Sequence, residues 1–491
     1  MSASPVEQQA ADDVLDSAEA GGRVIRGGAA RTVSYVGSLL LSLVSVPFMI
    51  RHLQEGDWGR YVAVSSIVFI LGGITEAGLT NLGIREYSAV ADREERDRLL
   101  RNLVGLRFAL TAAGLGLAVA LSAATGAEGV VVAGTAIMGL GLFLSLTQQT
   151  YMIPLTAQLR LGTVALLELL KQAVLTAAIV AFVLAGTGLV PFFWASVFSA
   201  VVMTAATIAL VRADTPLRPA ADLAAWRGIL RETAAYALAA AVGLVYFRIA
   251  MVLMTYVATD VEADWFATPF RIVEVVGVIP WVLVTSSFPV LARAARNDEA
   301  RLEYALQRMF EVATVVGTLI ALGLAVSAPF AIEVIAGTGY EPSVDVLRIQ
   351  SLGLVTTFLV ATWLFALLSL KLHKQLLIAN VAAAVVASAG TIALAPSMGA
   401  EGAAIATVGA EAVLAVGCLY FLMRERTTLR PSLGVLPKVL VAAVAGVGVA
   451  LLEPVGHSLV LAVLSVGAAF LVMVGLRAVP PELYAALLRR Q

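Results

Sequence analysis

The chain consists mainly of apolar runs of about twenty residues, separated by short polar segments. A helical run of that length crosses a hydrocarbon layer of about 30 Å, so the pattern predicts fourteen membrane-spanning helices and no large loop between them. The predicted spans of the first half are 30–50, 59–83, 102–123, 129–152, 161–186, 189–211 and 232–257. Those of the second half are 265–290, 308–329, 345–370, 375–396, 401–423, 438–453 and 457–477.

One small polar motif occurs twice, as Glu55-Gly-Asp-Trp58 and as Glu262-Ala-Asp-Trp265. The copies lie before the second and the eighth predicted span, and a basic segment follows each of those spans. This arrangement predicts two six-helix units of the same orientation, related by a pseudo-two-fold axis along the membrane normal. We expect Trp58 and Trp265 to be interfacial anchors, and the small acidic cluster of Asp260, Glu262 and Asp264 to form a solvated turn.

The predicted fold is therefore an all-α polytopic membrane protein with two lobes in a V-shaped bundle. The predicted parts are a disordered acidic tail at 1–25, an N-lobe at 26–212, a C-lobe at 228–423 and an accessory helix pair at 437–479. The tail has five acidic and no basic residues in its first 22 positions, unlike a signal peptide. Rocking of the lobes would expose a cleft to each side of the membrane in turn, which is alternating access.

The basic residues alternate in their distribution along the predicted loops. With the N-terminus inside, 28 of the 33 lysines and arginines fall on inner segments. This asymmetry follows the positive-inside rule and predicts that both termini are cytoplasmic. Arg51, Arg60 and Arg348 lie at outer positions, and Arg248 and Arg271 lie within spans.

Composition narrows the choice of function. Hydrophobic residues make up 60% of the chain, charged residues 14%, and the formal net charge is −1, so nothing indicates nucleic-acid binding. The single cysteine, Cys418, excludes an internal disulfide and paired-cysteine metal motifs, and no Gly-Lys pair is present to form a P-loop. We expect a transporter rather than an enzyme, with no cofactor, although a coupling H⁺ or Na⁺ would fit.

Three charged residues in the seventh and eighth spans need a physical reason, since a charge at mid-membrane costs at least about 2.5–3.5 kcal/mol. Arg248 and Arg271 lie at nearly the same depth, roughly 13 and 10 Å from the outer end at 1.5 Å per residue. Glu274 follows Arg271 by three residues, on the same helical face. One carboxylate cannot neutralise two guanidinium groups, so the surplus positive charge favours a phosphate-bearing ligand or a water-filled cavity. A structural ion pair of Arg271 with Glu274 is the alternative.

Two further carboxylates lie inside predicted spans. Glu76, in the second span, either pairs with a base, takes a coupling proton or has a structural role. Glu411, in the twelfth span, has no partner evident from the sequence, and is either protonated or faces the cleft.

Four segments of the chain resemble one family. In chain order the segments are "LQEGDWGRYVAVSSIVFILGGITEAGLTNLGIRE", "DWFATPFRIVEVVGVIPWVLVTSSFPVLA", "SAPFAIEVIAGTGYEPSVDVLRIQSLG" and "KLHKQLLIANVAAAVVASAGTIALAPSMGAEGAAIATVGAE". In their order and spacing over residues 25–425 they are similar to polysaccharide (O-antigen type) flippases of the multidrug/oligosaccharidyl-lipid/polysaccharide exporter superfamily.

The resemblance implies a flippase that moves an undecaprenyl-pyrophosphate-linked oligosaccharide from the inner to the outer leaflet for cell-surface polysaccharide biosynthesis. Arg85, Arg248, Arg271 and Glu76 match positions that are commonly polar in that family. Many members have an aspartate shortly after the basic residue of the seventh helix, where this chain has Ala250. This difference leaves the charge of Arg248 less compensated and weakens any ion-coupling role taken from that aspartate.

The predicted site follows from both arguments. The substrate-binding residues are Arg248, Arg271, Arg51 and Arg85, and the coupling or gating residues are Glu274 and Glu76. The expected partners are the polyprenyl-pyrophosphate-linked glycan, membrane lipid, a polysaccharide polymerase and glycosyltransferases. We expect a monomer in the bacterial inner (plasma) membrane.

Three other functions stay open at the level of sequence. A lipid II flippase is one, because that family also has fourteen helices. A cation-coupled multidrug exporter is the second, although its cavity should be acidic rather than rich in arginine. A membrane-embedded glycosyltransferase or polymerase is the third, although the outer loops are short for a catalytic site. The glycan, its length and the driving force are not determined.

Overall fold

The computed structural model describes residues 20–76, 78–213, 215–297, 299–451 and 458–480. The predicted tail at 1–25 therefore lies largely outside the described residues. All regular secondary structure in these ranges is helical, which confirms the predicted all-α class.

Seventeen helices, α1 to α17, account for the described chain. In order they are α1 Ala20–His52, α2 Asp57–Glu76, α3 Leu79–Ala89, α4 Arg93–Ala124, α5 Gly129–Tyr151, α6 Ile153–Ala157, α7 Leu161–Leu184, α8 Leu189–Val211 and α9 Leu223–Val257. They continue with α10 Asp260–Val276, α11 Val278–Asn297, α12 Glu299–Val326, α13 Ala328–Ile335, α14 Ser343–Ser369, α15 His373–Glu425, α16 Val435–Ala450 and α17 Ser458–Gly475.

The helices have the length and apolarity of a multi-pass membrane protein. Within the described ranges, eleven helical segments are long and apolar enough to cross a membrane, and two shorter apolar segments are Ala241–Val257 and Val435–Ala450. The helix α15 counts once among the eleven, although it bends at Gly399, where the backbone has φ 58° and ψ −137°. The count of fourteen crossings remains a prediction.

Local sequence signals explain where the two helices nearest the predicted site begin. The Asp92 carboxylate accepts a hydrogen bond from the Glu95 amide at 3.1 Å and caps α4. The Thr259 hydroxyl caps α10 in the same way, through the Glu262 amide at 3.3 Å. In both helices acidic residues occupy the first turn, where the helix dipole favours negative charge.

The chain forms two compact units. Unit 1 comprises the described residues of Met1–Gln54 and Ala63–Ala241, and unit 2 comprises those of Glu55–Val62 and Val242–Gln491. The boundary falls within α9 rather than in the predicted linker before it. The segment Glu55–Val62, which contains the first motif and the start of α2, belongs to unit 2, and α2 from Ala63 onward belongs to unit 1.

Each unit has its own apolar packing. In unit 1, α1 packs along α7 and α5 packs along α8. In unit 2, α14 lies between α12 and α15, and the pair α16–α17 packs on α12. The fully buried side chains of Ala442 and Met473 belong to the same core as those of α12 and α14. The last two helices are therefore an integral part of unit 2.

Candidate functional site

The two arginines predicted within spans of unit 2 meet at one carboxylate. Nη2 of Arg248, on α9, donates a hydrogen bond to Oε1 of Glu274, on α10. Nη1 of Arg271 donates to Oε2 of the same carboxylate at 2.5 Å. The three side chains form what we call the arginine cluster. It has two guanidinium groups and one carboxylate, and the ion pair of Arg271 with Glu274 that the sequence offered as the alternative is present.

The two guanidinium groups of the arginine cluster differ in their surroundings. The side chain of Arg248 is 3% exposed, and its guanidinium carbon lies 5.7 Å from the ring centre of Phe247 and 5.5 Å from that of Phe270. Aromatic faces stabilise a desolvated cation, so these rings help to hold Arg248 inside the protein. The side chain of Arg271 is 36% exposed. Arg271 is therefore the member of the cluster that a ligand can reach.

Helix geometry sets the position of Glu274. It follows Arg271 by three residues on α10, so both side chains lie on one face of the helix. The helix ends at Val276, and α11 begins at Val278. Arg271 and Glu274 thus lie in the last two turns of α10, close to the break between α10 and α11.

The predicted residue Glu76 has a different environment, in unit 1. It ends α2, and its carboxylate accepts hydrogen bonds from the amides of Gly78 at 2.8 Å and Thr80 at 3.0 Å. These amides lie at the N-terminal end of α3, where backbone N–H groups have no acceptor within the helix. Glu76 therefore caps the second half of a broken membrane helix. A coupling role for this residue remains a prediction.

A buried arginine in unit 1 contacts both sides of this break. Arg107, on α4, is 1% exposed. It donates to the carbonyls of Thr75 at 3.4 Å and Glu76 at 3.5 Å, and to the Thr80 hydroxyl at 2.9 Å. Its Nη2 also lies 3.8 Å from the Glu76 carboxylate. An arginine five residues inside a predicted span was the signal that could have identified it.

The two other predicted substrate-binding residues are separate from the arginine cluster. Arg85, near the end of α3, is 62% exposed and forms ion pairs with Glu86 at 2.8 Å and with Glu232. Arg51, in the last turn of α1, is also exposed. Both belong to unit 1.

The two copies of the repeated motif contact each other within unit 2. The Asp264 carboxylate is 3% exposed and accepts hydrogen bonds from the amides of Gly56 and Gly59, each at 2.6 Å. A side chain at Gly59 would lie 2.9 Å from the backbone of Ala263, so only glycine allows the helices to approach this closely. Trp58 is 1% exposed and stacks on Tyr61, so the prediction of an interfacial anchor is wrong for this residue.

The prediction of a solvated turn is wrong for Asp264, which is buried, and for Glu262, which is half-buried, whereas Asp260 is 52% exposed. Besides Asp264, Asp260 pairs with Arg60 at 2.6 Å, and Glu262 accepts a hydrogen bond from the Ala400 amide at 2.6 Å, at the bend of α15. Three carboxylates at the start of α10 thus hold two other segments, residues 56–60 and the bend of α15. We call this group the acidic clasp.

A tyrosine in a loop beside the acidic clasp is affected by the same charges. Burial raises the pKa of Tyr340, and the nearby carboxylates of Asp264 and Glu55 raise it further. Its phenol therefore stays neutral at physiological pH.

The fold is shared with several solved transporters. The first is described as "Lipid II flippase MurJ, inward closed conformation", with TM-score 0.73 and 12% identity over 93% of this chain and 99% of the other. An inward-facing multidrug resistance MATE family transporter of the MOP superfamily has TM-score 0.62 and 17% identity, over 79% of this chain and 98% of its own. A MOP superfamily transporter from Pyrococcus furiosus, described by a reverse polarity of its binding pocket, has TM-score 0.55 and 19% identity, over 83% and 96%.

These likenesses show that the helical fold of this chain is the fold of a solved lipid II flippase and of solved multidrug transporters. The sequence then gives the family. Residues 24–295 match the profile of the family described as "Polysaccharide biosynthesis protein", which is more than half of the chain. The chain belongs to this family, as the resemblance implied. No curated protein matches the sequence significantly.

Proposed function

We propose that this protein is a flippase that moves an undecaprenyl-pyrophosphate-linked oligosaccharide from the inner to the outer leaflet by alternating access. Membership of the polysaccharide biosynthesis family supports a glycan-linked substrate. The observation that carries the proposal is the arginine cluster, in which a net positive charge lies in membrane helices and one guanidinium is accessible.

The diphosphate of the substrate matches the chemistry of Arg271. A guanidinium presents a planar fork of donors that binds phosphate oxygens in pairs. Glu274 occupies only one edge of that fork through Nη1, and fixes the side chain before the ligand arrives. Binding to a fixed side chain loses less conformational entropy than binding to a free one. Arg248 adds long-range positive charge without contacting the substrate.

The remaining predicted residues take secondary roles in this proposal. Arg85 and Arg51, both exposed, attract the anionic head group before it binds. Glu76 acts in gating, because it joins the two halves of a broken helix. The protein acts as a monomer in the bacterial inner membrane with cytoplasmic termini. It works beside the glycosyltransferases that make the glycan and the polymerase that extends it.

Two related functions would place a different substrate in the same fold. The likeness to a lipid II flippase makes lipid II the first alternative, since its head group also carries a diphosphate. The likeness to multidrug transporters gives the second. The positive charge of the arginine cluster disfavours cationic drugs, and a drug-resistance assay in a pump-deficient strain tests that alternative directly.

Export of the surface glycan in cells tests the proposal. We expect deletion of the gene to remove the glycan from the cell surface, and the wild-type chain to restore it. Arg271→Ala should fail to restore it at a normal protein level, and Arg271→Lys should restore it only in part. Arg348→Ala is a matched control, because Arg348 is also an exposed arginine that pairs with an acid three residues away, Asp345, at 2.9 Å. Full restoration by Arg271→Ala would reject the proposed role of the arginine cluster.

A further inference from the structure

The first three turns of α9, residues 223–234, present a surface that the proposed function does not use. This surface borders an open groove of about 460 Å³ in unit 1. Among the described residues, the groove is lined by Leu223, Trp226, Arg227, Leu230, Arg231 and Ala234. These positions recur every three or four residues, so they share one side of the helix. We call this side the basic face of α9.

The start of α9 is fixed to unit 1, so the basic face has a defined position. The Ala220 amide donates a hydrogen bond to the Arg101 carbonyl at 2.9 Å, and the Asp222 amide donates to the Asn102 side chain at 3.2 Å. Trp226 then packs against the apolar side chains of α3 and α4. A surface that is already in place loses less conformational entropy when it binds a ligand.

The two arginines of the basic face carry charge that no neighbouring carboxylate neutralises. Arg227 and Arg231 lie four residues apart, both are exposed, and neither has a hydrogen bond or ion pair with the described residues. The two acidic residues of this stretch have other partners. Asp222 accepts hydrogen bonds from two amides of the first turn of α9 at 3.0 and 3.2 Å, and Glu232 pairs with Arg85. The basic face is therefore positively charged.

Apolar surface lies directly beside these charges. The side chain of Leu223 is 75% exposed, and those of Trp226 and Leu230 are half-buried. A helical surface that combines leucine and tryptophan with arginine is typical of helices at the boundary between water and lipid. From the basic face, α9 continues into the apolar segment Ala241–Val257. The basic face therefore lies at one end of a membrane helix.

The two kinds of side chain restrict the ligand to one class. A guanidinium binds phosphate oxygens, and an exposed leucine beside it favours contact with an acyl chain. Inorganic phosphate would use only the arginines, and the ammonium group of a zwitterionic lipid would be repelled by them. The sequence predicts that this segment lies on the cytoplasmic side of the membrane, where basic surfaces bind anionic lipids.

We propose that the basic face of α9 binds an anionic phospholipid of the inner leaflet. Arg227 and Arg231 contact the phosphate, and Leu223 contacts an acyl chain. This binding goes beyond the proposed glycan transport and involves no lipid-linked glycan, so each can fail without the other.

Native mass spectrometry of the full-length, delipidated protein in detergent tests the site. Phosphatidylglycerol is titrated into one sample, and phosphatidylcholine with the same acyl chains into another. We expect phosphatidylglycerol to bind more tightly, and its affinity to fall as ionic strength rises, because salt screens exposed charges. Equal affinity for the two lipids would overturn the proposal.

A double variant, Arg227→Gln with Arg231→Gln, removes the charges of the basic face. We expect phosphatidylglycerol affinity to fall about thirtyfold, since each arginine near an anionic lipid contributes about a factor of five. Arg93→Gln with Arg98→Gln is the matched control, because these two arginines are also exposed on a predicted inner segment. The control should bind as tightly as the wild type. Wild-type affinity in the first double variant, or an equal loss in the control, would overturn the proposal.

The variant Leu223→Gln tests the apolar contact. We expect a smaller loss of phosphatidylglycerol affinity, about fivefold, because only part of one apolar side chain is removed. The melting temperature without added lipid should equal that of the wild type, since the side chain is exposed. Unchanged affinity would reject the contact with an acyl chain.

Competition separates a phospholipid from other phosphate-bearing ligands. Inorganic phosphate at the same ionic strength should leave phosphatidylglycerol bound, because it offers no acyl chain. Displacement by inorganic phosphate would reduce the site to an anion site and overturn the proposal. So would tighter binding of a polyprenyl diphosphate than of phosphatidylglycerol, because the basic face would then belong to the transport path.

Discussion

Two buried arginines of this protein, Arg107 in unit 1 and Arg248 in unit 2, are stabilised by different partners. Arg107 is fully covered and distributes its hydrogen bonds over the ends of a broken helix, with one carboxylate nearby. Arg248 is equally covered but shares its carboxylate with a second arginine, Arg271, which is 36% exposed. The first arrangement is neutral and its arginine is buried, and the second has a net positive charge and one exposed guanidinium. Charge balance and exposure, rather than burial alone, therefore distinguish a structural arginine from one that can bind an anion.

The largest loss of stability is expected when Arg107 is replaced. Arg107→Leu leaves the Glu76 carboxylate without its nearby cation and two carbonyls without donors. Removing one partner of a buried charge pair costs about 3–5 kcal/mol, so we expect little folded protein in the membrane. The measurement is the amount and melting temperature of protein extracted from membranes. Arg101→Ala is the control, because Arg101 is exposed on the same helix, and it should behave like the wild type. A normal melting temperature for Arg107→Leu would refute the structural role.

A smaller loss of stability is expected when Glu274 of the arginine cluster is replaced. Glu274→Gln weakens the hydrogen bonds of two guanidinium groups, but Arg248 keeps its aromatic neighbours and Arg271 can turn to solvent. We expect a cost of about 2–3 kcal/mol, the range for a hydrogen bond to a charged group. The measurement is the melting temperature of the purified variant.

The double variant Arg248→Met with Glu274→Leu separates stability from transport. Replacing both members of a buried ion pair by apolar residues of similar size is often neutral. The melting temperature should return toward the wild-type value, while glycan export falls, because Arg271 loses the carboxylate that fixes it and the positive charge of Arg248 is removed. Recovery of export would show that the charges serve only to hold the helices together.

The acidic clasp is expected to contribute less. Asp264→Asn replaces one of two acceptor oxygens by an amide group that faces a backbone donor, and we expect a loss of about 1–2 kcal/mol. Asp260→Asn is the comparison, since Asp260 is 52% exposed and surface ion pairs contribute little. The two melting temperatures should therefore differ, with Asp264→Asn lower. Equal values would mean that the contact between the two motif copies does not stabilise unit 2.

The smallest effect is expected at Arg85. Its guanidinium is exposed to water and pairs with two exposed carboxylates, so Arg85→Ala should leave the melting temperature unchanged. If Arg85 only attracts the substrate, export should fall modestly and the fall should grow at low ionic strength, where charges act over longer distances. Complete loss of export would instead place Arg85 in direct contact with the substrate.

The sequence was sufficient for the all-helical class and for placing Arg248, Arg271 and Glu274 near one another, while the count of fourteen crossings stays a prediction. Apolar runs locate the helices because the bilayer requires both length and apolarity. The meeting of Arg248, Arg271 and Glu274 follows from similar depth in consecutive helices and from a spacing of three residues.

The sequence was insufficient wherever a contact joins distant segments. Asp264 reaches amides more than two hundred residues earlier, and nothing in the local pattern of either motif specifies that pairing. Arg107 lies five residues inside a predicted span, but the local sequence does not show which backbone carbonyls it contacts. Glu76 is part of a helix break that depends on Gly78, whose φ of 74° a pattern of apolar residues does not reveal.

The most direct test of the central claim is transbilayer movement in reconstituted vesicles. A polyprenyl-diphosphate-linked sugar is placed in both leaflets, and its access to an externally added, membrane-impermeant enzyme is followed. The account predicts movement with the wild-type protein and with Arg348→Ala, and a loss of at least about tenfold with Arg271→Ala at equal protein content, as expected when a charge-assisted contact to phosphate is removed. Equal movement with Arg271→Ala and the wild type would contradict it.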